Sequence, residues 1–82
     1  MTKEVGIKFT EIVTLIKGKN NFKVEEDGPI ASLGFRIKDR SVKDFRIIEM
    51  FPVKSNYSKW EVTIISNETA SFELEVGGIP MN

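Results

Sequence analysis

Apolar side chains return at every second position along most of this chain, a period that belongs to strands and not to helices. The pattern runs through Val13 and Leu15, Phe22 and Val24, then Leu33, Phe35 and Ile37. It resumes at Trp60, Val62 and Ile64, and again at Ala70, Phe72, Leu74 and Val76. Turn-forming residues punctuate it at Gly18-Lys19, Gly28-Pro29, Asp39-Arg40-Ser41, Lys54-Ser55-Asn56 and Ser66-Asn67-Glu68. Six short segments of this kind in 82 residues predict an all-β single domain around one core. The simplest arrangement is six antiparallel strands in consecutive hairpins, forming a small sandwich or an SH3-like, open barrel. Residues 77–82, with Gly77-Gly78 and no periodicity, read as a flexible C-terminal tail.

Pairing follows if three of these turns close hairpins. Gly18-Lys19, with Gly first, suits a type II′ turn and sets Leu15 opposite Phe22 and Val13 opposite Val24. The N-terminal segment leaves an alternative open. Val5, Phe9, Ile12, Val13 and Ile16 also fit helical spacing, although the β-branched run over 11–16 favours a strand with Val5, Ile7, Phe9, Val13 and Leu15 on one face. The loop Asp39-Arg40-Ser41 places Ile37 opposite Lys43, Phe35 opposite Phe45 and Leu33 opposite Ile47. Beyond it, alternation breaks over Ile48, Met50 and Phe51, which implies a bulge or bend, and Pro52 ends the pairing or marks an edge. Ser66-Asn67-Glu68 pairs Ile64 with Ala70, Val62 with Phe72 and Trp60 with Leu74.

The side chains that are missing constrain function. With no histidine and no cysteine, the chain lacks the usual base of a catalytic triad, the usual thiol nucleophile and the common zinc ligands. No glycine-rich phosphate loop is present. Glu25, Glu26 and Asp27 are consecutive on a turn without EF-hand spacing, and read as a solvated turn. The expectation is a non-enzyme with no metal and no cofactor. No apolar run suits a signal peptide or a membrane span, so the expected location is the cytoplasm, without membrane attachment. Asn56-Tyr57-Ser58 and Asn67-Glu68-Thr69 then read as turn chemistry.

Twelve Lys and Arg balance twelve Asp and Glu, so an electrostatic partner would have to use a local patch. Two patches stand out in the hairpin register. Arg36, Lys38, Arg40, Lys43 and Arg46 form a basic hairpin, with Arg36 set opposite Asp44. Glu61, Glu73 and Glu75 form an acidic one, with Glu61 set opposite Glu73. Trp60 shares its face with Val62 and Ile64 and reads as a core anchor, while Tyr57 lies on the other face.

One local resemblance bears on the basic segment. Ile30-Ala31-Ser32 and Lys43-Asp44-Phe45-Arg46-Ile47-Ile48-Glu49 resemble the paired β-strands of the SpoVG septation-regulator family, small DNA-binding proteins. The match needs a one-residue insertion in the hairpin loop. The family's basic stretch has only Lys54 as a counterpart near Pro52, its C-terminal helix has none, and no DNA-contacting position carries over.

Elimination and unpaired strand edges together point to a protein–protein interaction module, a small regulator, inhibitor or assembly subunit. Its partner would be another protein or a second copy of itself. The alternatives are a nucleic-acid-binding module built on the basic hairpin, and a carbohydrate-binding domain using Tyr57 or Trp60.

Overall fold

The computed structural model describes residues 9–81, and no helix occurs among them. Six strands follow in order: β1 (Glu11–Leu15), β2 (Gly18–Glu25), β3 (Ile30–Ile37), β4 (Phe45–Val53), β5 (Asn56–Ser66) and β6 (Phe72–Pro80). They form two three-stranded antiparallel sheets, ordered β1-β6-β3 and β2-β5-β4. The sheets pack face to face as a sandwich, one of the two arrangements that the alternation left open. The inward residues are those picked out by the period of two: Leu15, Val24, Leu33, Val62, Ile64, Phe72, Leu74 and Val76 are all buried, with Ile30 added from the start of β3. Burying each such side chain contributes about 1.5–3 kcal/mol. Trp60, Phe22, Phe35, Ile37 and Phe45 pack half-buried around them, and the Phe45 and Phe72 rings meet across the core at 5.7 Å.

The faces match the alternation, but the partners do not. Four of the five connections cross between sheets, and only β4–β5 is a hairpin. Leu15 pairs with Phe72 and Val13 with Leu74, while Phe22 pairs with Val62 and Val24 with Trp60. Phe35 sits opposite Val76 and not Phe45, and Leu33 opposite Gly78 and not Ile47. Ile64 lies between Asn20 and Ile47, Val62 between Phe22 and Met50, and Trp60 between Val24 and Pro52. All three expected hairpins are thus replaced by crossovers. Alternation tells which face a residue occupies but not which strand lies beside it, and both sheets offer an apolar inner row of the same spacing.

The first crossover shows how local chemistry turns a hairpin into a corner. Gly18 has φ +103°, as a tight turn requires. Asn20 then reaches back across it: its Oδ1 accepts the Ile16 N–H at 2.9 Å, and its Nδ2 donates to the Ile16 carbonyl at 2.8 Å. The same Nδ2 lies 3.1 Å from the Gly18 carbonyl. These bonds satisfy the backbone where β1 leaves one sheet and β2 enters the other. The true hairpin is at Lys54-Ser55, both in the left-handed region (φ 46° and 67°), as a type I′ turn demands. Beside it, Asn56 Oδ1 accepts from the Ser58 N–H and hydroxyl, at 3.1 and 2.6 Å, which is the turn chemistry expected of that triplet.

Two further expectations change. Residues 77–80 are not a tail: they complete β6, with Gly77 opposite Gly34 and Pro80 opposite Ile30. The glycine at 78 has a packing reason, because a Cβ there would meet Ile30 and Glu26 side-chain carbons at 3.2 Å. Residues 11–15 are strand, so the helical alternative fails there, and its residue 5 lies outside the described residues. Phe9 leaves the core face, its ring packing under the Arg36 guanidinium at 4.4 Å.

Candidate interaction surface

β4 is the edge of its sheet, flanked by β5 alone. Across the interface β3 approaches β5, so the inner face of β4 extends past the cover of the opposite sheet. Its inward positions, set by pairing with Ile64 and Val62, are Ile47 and Met50, yet these remain 42% and 38% exposed. Phe51 lies on the outer face opposite Glu61 and is 40% exposed. Ile48 is the residue inserted where the register shifts between Ile47 and Glu49, and it is 44% exposed. The bulge and the edge position of Pro52 both match the broken alternation read from sequence.

Four large exposed apolar side chains therefore lie on one strand whose second side has no partner strand. Single exposed apolar residues are ordinary; several on both faces of one edge strand with free backbone groups make it a candidate interaction surface. The backbone geometry agrees. The Asp44 carbonyl accepts the Asn67 N–H at 2.9 Å, so by the alternation of an antiparallel ladder the N–H and C=O of Phe45 and Ile47 point away from β5. A sequence signal for this surface existed. Ile47-Ile48-Glu49-Met50-Phe51 has four apolar residues in five, more than a strand with one buried face requires.

Of the charged residues expected to form two patches only Arg46 lies on β4, and the two sets are split between the sheets. Arg36 lies on the outer side of β3, Lys38, Arg40 and Lys43 on the crossover that follows it, and Arg46 on the outer face of β4 in the other sheet. Likewise Glu73 and Glu75 belong to β6 and Glu61 to β5. The expected pairs do not form. Arg36 faces Glu75 and not Asp44, and Glu61 sits between Lys23 and Phe51 and not opposite Glu73. Arg36 Nε lies 2.5 Å and Lys38 Nζ 3.3 Å from the Glu75 carboxylate. The Arg36 hydrogen bond holds Glu75 below the usual carboxylate range against the opposing effect of burial, with Lys38 adding to it. Two of the five basic residues and one of the three acidic ones, Arg36, Lys38 and Glu75, are thus paired with one another.

Other recesses are less developed. A cleft of about 480 Å³ lies beside the β2–β3 turn, between Glu26-Asp27-Gly28-Pro29 and Gly78. Thr10 Oγ1 donates to Glu26 Oε1 within it at 2.9 Å. Among the described residues no three His, Cys, Asp or Glu side chains gather as a metal site. Trp60 anchors its strand as expected, its Nε1 donating to the Tyr57 carbonyl at 3.1 Å. No described helix is long and apolar enough to cross a membrane.

Set against known families, curated proteins and solved structures, the chain matches none. The strands that carry the local resemblance to SpoVG proteins, β3 and β4, lie in different sheets and do not pair.

Proposed function

We propose that this domain is a non-enzymatic protein-interaction module, a small regulator or assembly subunit, that engages its partner along the β4 edge. The observation that carries the reading is the exposure of Ile47, Ile48, Met50 and Phe51 on one strand with an unpaired side. Main-chain bonds along such an edge supply affinity, and side chains on alternate faces supply selectivity. The internal pairing of Arg36 and Lys38 with Glu75 favours this reading over a nucleic-acid contact built on the basic residues, because it removes two of five cations from the patch.

A photo-crosslinking residue at Phe51 tests the proposal, with one at Thr14 on the opposite sheet as control. Protein adducts, with a foreign chain or with another copy, are expected from Phe51 and not from Thr14. No adduct from Phe51, or equal yields from both, would overturn it.

A further inference from the structure

We infer that the strand β4 seats is the β4 of a second copy, the two running antiparallel about a two-fold axis at Ile47. This rests on β4 being the interaction edge, and it adds the identity of the partner. The argument is the charge pattern of the edge. Arg46 and Glu49 are the two charged residues of β4, and neither joins the ion pairs of the described residues, both of which go to Glu75.

Because Ile48 is the bulged residue, Arg46, Ile47 and Glu49 take three successive ladder positions, opposite Ile65, Ile64 and Thr63. Arg46 and Glu49 accordingly stand on the same outer face with Ile47 between them. An axis through Ile47 normal to the sheet sets Arg46 of each copy opposite Glu49 of the other, forming two identical ion pairs. On the inner face it brings Ile47 against Ile47, and Phe45 against Met50 twice, covering apolar surface that β3 leaves bare. Ile47 is also a position whose backbone groups point away from β5, so the central pair can exchange both hydrogen bonds. The isologous contact closes at two copies, and a chain with no net charge does not oppose it.

Sedimentation equilibrium of the full chain at low salt, from roughly 5 to 500 µM, covers the range in which a small edge contact associates. A monomer–dimer equilibrium is expected. Arg46→Glu or Glu49→Arg alone sets like charges opposite twice and should weaken the dimer about tenfold or more. The double variant Arg46→Glu/Glu49→Arg rebuilds both pairs with their signs exchanged and should return close to wild type. A wild-type monomer throughout, a double variant as weak as the singles, or open-ended association would each overturn the inference. If a variant fails to fold, amide exchange in the wild type decides: the Ile47 N–H should slow as concentration rises, and an unchanged rate refutes the pairing. A monomer that still gives foreign adducts from Phe51 would remove the second copy and leave the edge reading standing.

Discussion

Two carboxylates report opposite environments within the same small molecule. Glu75 is held below its ordinary value near 4.5 by the hydrogen bond from Arg36. Its stabilisation is complete above that value and is lost as pH falls through the lower folded one. Glu75→Gln should therefore melt below wild type at pH 7, with the gap closing in strong acid. Glu11 behaves in reverse. Burial raises it first, and repulsion from Glu26 and Glu25 adds to this, against a bond from the Glu25 N–H. A raised folded value means stability is full below the ordinary value and declines as pH rises through the folded one. Glu11→Gln keeps an acceptor and sheds the charge, so it should melt above wild type at pH 7 and alongside it in acid. Thermal melts of both variants across pH measure these signs, and a Glu11→Gln melt below wild type at neutral pH would count against the buried-charge account.

Among the elements, the β4–β5 hairpin carries the clearest local strain. Lys54 and Ser55 both hold positive φ without being glycine. Replacing them with Asn-Gly, the pair suited to a type I′ turn, should stabilise the domain by about 0.5–1 kcal/mol in a urea melt. A loss would mean that Lys54 or Ser55 makes a contact worth more than the strain. This turn also shows what the sequence could disclose. Lys54-Ser55-Asn56 is legible as a turn, but residue types do not single it out as the hairpin over Gly18-Lys19, Asp39-Arg40-Ser41 or Ser66-Asn67-Glu68. The buried faces of β2, β5 and β6 were legible from alternation, as was a bulge or bend somewhere over Ile48, Met50 and Phe51, which the structure puts at Ile48. Strand partners were not, because Leu74 fits Val13 and Ile37 as well as it would fit Trp60. The corner at Gly18 depends on Asn20 turning its side chain back to Ile16, and that conformation is invisible in residue types. The exposed apolar edge was half legible: its apolar run was visible, but its exposure follows from where β3 lies.

At the scale of the whole molecule, four crossovers make three of the four strand pairings non-local. Domains dominated by such contacts fold slowly, so stopped-flow refolding should show a main phase of about milliseconds to seconds, against microseconds for a local helical topology. A sub-millisecond phase would contradict the topology. The placement of β6 has a further bearing on how the protein is made. β6 is the middle strand of its sheet, and both β1 and β3 pair with it alone. During translation the β2-β5-β4 sheet has all its strands once Ser66 has emerged, whereas β1 and β3 stay without neighbours until residues 72–80 arrive. A ribosome that stalls before residue 72 would release half a sandwich with its apolar face open, a ready substrate for chaperones and proteases.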